Sequence, residues 1–208
     1  MATKMKIDPV RPAIRGGRMV GGMSLATVYR VARLIVADEE GFARLHRISN
    51  CAVELSSGLD LEIKQAVRVD LSETVSIDTT VSERHGQRCN LMFERSINCA
   101  DMLRQLVAEA RSSRARPLRL TTPQTVARAR SPMGVHELEL KDISQRGMKV
   151  RHDGSFQPGL RVLVQLPNGR ECRGVVRWTR DDRAGLQLID MLSADELGAV
   201  SSLRKGPS

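Results

Sequence analysis

Aromatic side chains are scarce in this 208-residue chain: one Trp, one Tyr and three Phe. A fold that tracks single-stranded nucleic acid normally stacks successive bases on aromatic platforms, so this supply argues against that class. The four cysteines (Cys51, Cys89, Cys99, Cys172) stand far apart, with no CxxC pair and no histidine at ligand spacing beside them. That excludes a zinc-ribbon or thiol-redox motif and reads as buried thiols in a reducing cytoplasm. His46, His85, His136 and His152 are scattered without a nucleophile and acid at motif spacing, so the expectation is a protein that is not an enzyme. No window approaches the roughly 18 uninterrupted apolar residues of a membrane-spanning helix. The run Met19–Tyr29, which follows five basic residues, contains two glycines and is followed at once by Arg30 and Arg33, so it is not read as a secretory leader.

Lysine is scarce as well. Of the 33 basic residues only six are lysine, and the formal net charge is +9. Residues 1–100 carry 14 basic and 12 acidic side chains, and residues 101–208 carry 19 and 12, so most of the excess lies in the second half. Six arginines (Arg111, Arg114, Arg116, Arg119, Arg128, Arg130) occur between 111 and 130 without one acid. Such a field attracts phosphates or an acidic surface. Arginine also adds what lysine lacks, a planar fork for bidentate bonds and a flat face for stacking.

The chain repeats itself. Slid by 95 positions without a gap, Ile48-Ser49 falls on Ile143-Ser144; Val67, Val69 and Leu71 fall on Val162, Val164 and Leu166; and Val81, Arg88 and Leu91 fall on Val176, Arg183 and Leu186. Apolar positions coincide where residues differ, as at Leu55 and Val150 or Phe93 and Leu188. This period is too long for a solenoid, whose units run at about 20–50 residues, and fits a duplicated small domain. Leu160, Val162, Val164 and Leu166 alternate with Arg161, Leu163 and Gln165, and Pro167-Asn168-Gly169 supplies a turn before a strand from Glu171 to Trp178. Short strands at this spacing predict an all-β chain of two antiparallel barrels. A helix is expected after each, opening at Asn98 and at Ser193. Trp178 is expected to plug or cover a barrel end, and Met92, Met102 and Met148, with Met19 and Met23, to fill cores.

Between the predicted strands Glu137–Lys141 and Met148–Val150 lies Asp142-Ile143-Ser144-Gln145-Arg146-Gly147. An acid, a hydroxyl and a glycine at this spacing suit two readings: an ordinary turn in which the acid bonds backbone amides, and a ligand site on a sheet edge.

The Asp142-x-Ser144-x-x-Gly147 motif at the start of a short-stranded barrel, with the valine-rich strand ending at Trp178, resembles the PilZ family of cyclic di-GMP receptors over residues 111–203. The resemblance implies a six-stranded barrel whose arginine-bearing N-terminal segment folds over the nucleotide. The chain then reads as two tandem six-stranded PilZ-like barrels, each followed by a helix: a basic arm at 1–20, a degenerate copy at 21–110, and a PilZ domain at 111–208 with residues 111–123 as linker and arginine-rich segment. The implied ligand residues are Arg114, Arg116, Arg119, Asp142, Ser144 and Gly147, with cyclic di-GMP as ligand and no cofactor or metal. The family's two arginines stand four apart; here Arg116 and Arg119 stand three apart, with Arg114 close by. In the first copy Arg47, Ser49 and Ala52 occupy the Asp142, Ser144 and Gly147 columns. The expected function is a cytoplasmic receptor that couples ligand binding at the second barrel to interdomain reorientation and signals to an effector protein. A homodimer through the first barrel belongs to the same reading. The competing class is a ligand-free adaptor or dimerisation module; nucleic acid ranks behind both.

Overall fold

The computed structural model of the protein describes residues 26–112 and 116–204. Twelve strands form two closed barrels. The first comprises β1 (Ala26–Val36), β2 (Glu39–Ile48), β3 (Ala52–Ser57), β4 (Ala66–Asp70), β5 (Ser76–His85) and β6 (Arg88–Phe93), closed in the order β1-β2-β3-β6-β5-β4. After helix α1 (Cys99–Arg111) the second comprises β7 (Leu120–Ser131), β8 (Gly134–Ser144), β9 (Gly147–Arg151), β10 (Arg161–Gln165), β11 (Glu171–Arg180) and β12 (Arg183–Leu188), closed in the equivalent order. The short helices α2 (Ala194–Leu197) and α3 (Val200–Arg204) end the described chain.

The 95-residue offset carries through the strands. Ala66–Asp70 answers to Arg161–Gln165, Ser76–His85 to Glu171–Arg180, and Arg88–Phe93 to Arg183–Leu188. The irregularities repeat as well: the β2–β3 register shifts between Leu45 and Arg47 and the β8–β9 register between Leu140 and Asp142. A bulge holds its place only where the pattern of buried residues on either side fixes the register.

Each barrel encloses its own core. Leu34, Leu45, Leu55, Leu61 and Leu91 are fully buried in the first, and Leu120, Leu138, Leu140, Ile143 and Val164 in the second. Helix α1 buries Cys99, Met102 and Leu106, a one-sided stripe, against the first core, and Asn98 Oδ1 accepts from the Asp101 amide at 3.1 Å to cap it. The expected second helix is divided. Ser193 and Glu196 form a reciprocal capping box, but Gly198, at φ +53°, ends α2 after one turn, and Leu197, Val200 and Leu203 bury on both sides of the break.

The barrels exchange core residues across the joint. Phe42 of β2 lies in the second core, and Ala199 lies in the first and bridges Gly41. The Phe42 amide donates to the Gly198 carbonyl at 3.0 Å, and Arg44 pairs with Asp195 at 3.0 Å.

Three expectations are corrected. Of the segment 111–123, Arg111 still belongs to α1 and β7 starts at Leu120, with Pro123 in a register shift between Thr121 and Thr125, where its missing N–H leaves no ladder bond unmade. Met92 is 41% exposed because Leu91 and Phe93 beside it point inward, whereas Met102 and Met148 are buried as expected. Cys89, Cys99 and Cys172 are buried, with the Cys172 thiol pushed up to about 11 by desolvation, but Cys51 is half-buried.

Candidate functional site

The Asp142–Gly147 motif forms the β8–β9 corner. Ile143 turns inward to the core, which leaves Asp142 on the outer face, opposite Thr121 on β7 and Lys149 on β9. Ser144 is buried, and its hydroxyl donates to the Gly147 carbonyl at 3.1 Å, closing the two-residue turn at Gln145 and Arg146. Gly147 has a packing reason of its own: a Cβ there would stand 2.8 Å from the Leu186 carbonyl oxygen of β12.

The arginine segment comes to this corner. Arg119, on the last residue before β7, donates from Nη1 to Asp142 Oδ1 at 2.5 Å. Below it opens a cleft of about 180 Å³ lined by Pro117, Arg119, Arg146, Gly147, Arg177 and Trp178, with Ser144, Met148, Gly185, Leu186 and Gln187 completing its wall. Arg177 is aimed by Gln187, whose Oε1 accepts from Arg177 Nε at 2.6 Å. The Arg146 side chain forms no hydrogen bond or ion pair with any described residue and lies exposed at the rim. Volumes of about 300 Å³ and upward are usual for small-molecule pockets, so this open cleft can take one planar group while the rest of a ligand lies across its rim.

Trp178 does not plug the barrel. It is 44% exposed and lies on Gly185 so closely that a Cβ there would fall 2.0 Å from the indole Nε1. The β11–β12 register shifts between Val176 and Trp178, which turns the tryptophan outward. The indole is thus packed against Gly185 and stays partly exposed where it borders the cleft.

Arg116 goes elsewhere. It lines a second cleft of about 210 Å³ at the joint of the barrels, with Arg30, Phe42, Leu71, Pro117, Leu118 and Gln145. Pro117 borders both clefts, so the two arginines flank it on different sides. Arg114 lies outside the described residues. The structure therefore gathers Arg119, Asp142, Ser144 and Gly147 at one corner, places Arg116 at the neighbouring cleft, and adds Arg146, Arg177 and Trp178, which are not among the ligand residues implied by the sequence. A signal for Trp178 was present: its counterpart in the first copy is Glu83, a residue that does not line a core.

The outer face of β8, β9 and β12 beyond this corner is neutralised internally. Lys141 bonds Glu139, and Arg151 bonds Asp182 and stands 3.5 Å from Glu139. These contacts hold both carboxyls below their usual range. No group of three or more metal-ligating side chains occurs among the described residues, and no helix among them is long and apolar enough to cross a membrane.

The second half of the chain is thus a closed six-stranded barrel with a cationic segment laid over an acid-marked corner. Residues 110–203 match the family model described as the PilZ domain. No curated protein matches the chain. Among solved structures it is similar to PlzA of Borreliella burgdorferi in complex with c-di-GMP, at 9% identity over 85% of this chain and 88% of that one, TM-score 0.40. It is similar to MotI/DgrA, an inhibitor of motility of Bacillus subtilis, at 18% identity over 80% and 89%, TM-score 0.32. YcgR of Escherichia coli in complex with c-di-GMP aligns at 15% identity over 80% of each chain, TM-score 0.31.

Proposed function

We propose that this protein is a cyclic di-GMP receptor whose binding site is the β8–β9 corner of the PilZ domain, and that residues 21–110 are a PilZ-like barrel without the ligand residues. The arm at 1–20, which lies outside the described residues, and the division at about residue 111 belong to the same reading. The observation that carries it is the Arg119–Asp142 contact over an arginine-lined cleft that presents a half-exposed indole.

The chemistry fits a cyclic dinucleotide. Its phosphodiesters and the O6 and N7 edges of its guanines accept hydrogen bonds, and guanidinium groups serve both while stacking on the base. Arg119, with Arg116 and Arg114 from the same segment, supplies that half. Asp142 accepts from guanine N1–H and N2–H, and Arg146 and Arg177 meet phosphate at the rim. Trp178 stacks on a base. Ser144 and Gly147 act by shape, the first fastening the turn and the second admitting the close approach of β12.

Isothermal titration calorimetry with cyclic di-GMP tests the proposal. The parent protein binds, and Arg119→Ala and Asp142→Ala each weaken binding by at least tenfold; no heat from the parent protein ends the receptor reading. Trp178 is the chain's one tryptophan, so its emission follows the same titration independently.

The finer proposal is that closure of the arginine segment, residues 111–123, on the ligand shifts the two barrels relative to one another, and that a cytoplasmic effector protein reads the shift. Small-angle scattering profiles that superpose with and without saturating ligand would remove this coupling and leave binding untouched. One observation favours a second reading, a ligand-free adaptor or dimerisation module: Arg119 and Asp142 pair with each other. The same calorimetry decides between them.

A further inference from the structure

The first barrel grips the peptide that carries Arg119 at two points. Arg33 of β1 donates from Nη1 to the Arg119 carbonyl at 2.8 Å, and Glu40 Oε2 of β2 accepts from the Thr121 amide at 3.0 Å. Between these two bonds lies Leu120, fully buried in the second core. Thr121 is the ladder partner of Asp142. The residues bracketed by the first barrel are therefore the ones that set Arg119 against its carboxylate.

Arg33 is itself held rigidly. Its Nε and Nη2 both donate to Asp70 Oδ2, at 2.9 and 2.7 Å, and Asp70 is its register partner on β4. The other oxygen of Asp70 accepts from Ser76 Oγ at 2.6 Å and Arg68 Nε at 3.2 Å. The Asp70 side chain is 2% exposed and that of Arg33 20%. A buried carboxylate with every contact directional fixes the guanidinium plane, and that plane leaves Nη1 pointing across the joint. The counterparts of Arg33 and Asp70 in the second barrel are Arg128 and Gln165, which form no such pair, so this construction is particular to the first barrel.

We infer that Arg33, oriented by Asp70, and Glu40 are positioning residues for the ligand site of the other barrel: they preset the Arg119 backbone so that its guanidinium stands over the cleft before ligand arrives. The inference rests on the receptor reading above and gives the barrel without ligand residues a role in affinity. A group preset in its bound geometry is spared the ordering cost on binding.

The test uses the full chain. Arg33→Lys keeps a cation beside Asp70 but cannot fork to both Asp70 and the Arg119 carbonyl, so the barrel keeps its fold while the grip is lost. Expected are an approximately fivefold weaker affinity for cyclic di-GMP in Arg33→Lys and in Glu40→Ala, and parent affinity in Glu40→Gln, which restores an acceptor. Arg33→Lys combined with Arg119→Ala should bind no more weakly than Arg119→Ala alone. Arg88→Ala, which removes an exposed pair with Glu54 on the same barrel, should bind as the parent does. Amide exchange of the ligand-free protein provides the independent arm: Arg33→Lys should speed exchange at Arg119–Thr121 about tenfold. Parent affinity in Arg33→Lys overturns the inference, as does an equal loss with and without Arg119. If the parent binds no cyclic di-GMP, the receptor reading falls. Exchange at Arg119–Thr121 then decides the positioning role alone, with faster exchange supporting it and unchanged exchange overturning it.

Discussion

At the β2–β3 corner of the first barrel Arg47 faces Glu54 across the ladder, and at the β8–β9 corner of the second Asp142 faces Lys149. Position for position the charges are reversed. Ser49 and Ser144 stay in place, both buried, both bonded to the backbone three residues on. Where the second barrel lays Trp178 on Gly185, the first sets Glu83 beside Asn90, whose amide donates to the Glu83 carboxylate at 2.9 Å. What both corners share serves the turn; what only one has (acid at this position, arginine above it, indole against glycine) is, on the reading proposed above, what a ligand meets. The first corner has its acid on β3, engaged by Arg47 at 3.7 Å and Arg88 at 3.4 Å, and lacks a planar surface.

The largest expected effect lies in the pair that has no equivalent in the second barrel. Asp70→Ala strips the partner from a mostly buried arginine and should cost about 3–5 kcal/mol of unfolding free energy. Gln165→Ala, the corresponding change on an exposed strand position, should stay within about 0.5 kcal/mol. Urea unfolding of both variants checks this; equal costs would mean that Asp70 is an ordinary strand residue and that the joint does not depend on it.

Next comes the glycine that divides the corners. Gly147→Ala drives a Cβ against the Leu186 carbonyl, a backbone atom that can yield only by moving β12, and should cost about 1–3 kcal/mol. The reciprocal change, Ala52→Gly, should cost only about 0.5–1 kcal/mol through added freedom of the unfolded chain. Thermal unfolding without ligand separates these. A Gly147→Ala protein of parent stability but weakened ligand affinity would reassign that glycine from packing to direct ligand approach.

Much of this contrast was legible in the sequence because duplication supplied an internal control. The 95-residue register put Ser49 on Ser144 and Arg47 on Asp142, and the strands followed. What escaped was parity at irregular positions. Strict alternation from Val176 sends Trp178 into the barrel, but the register shift after Val176 adds one residue to β11 and turns the indole out. Pro123 read as linker for the same reason, since a proline inside a strand is tolerated only at such a break. Nor could spacing show that Arg116 and Arg119, three residues apart around Pro117, serve different clefts. The grip of Arg33 and Glu40 depends on how two barrels dock, which no local pattern encodes.

The smallest expected effect tests the feature the corners share. If both serines only fasten their turns, Ser49→Ala and Ser144→Ala should each cost about 1 kcal/mol, the ordinary worth of a hydrogen bond. Ser49 receives the Ala52 amide at 3.0 Å as well as facing its carbonyl, so its loss should be equal or slightly larger. Cyclic di-GMP affinity should then change less than twofold in Ser144→Ala, because the hydroxyl proton is already committed to Gly147. A tenfold loss of affinity with an ordinary stability cost would show that the hydroxyl leaves Gly147 and turns to the ligand. Ser144 would then join Asp142 among the groups that distinguish the two barrels, and the shared serine would be a scaffold residue in one copy and a binding residue in the other.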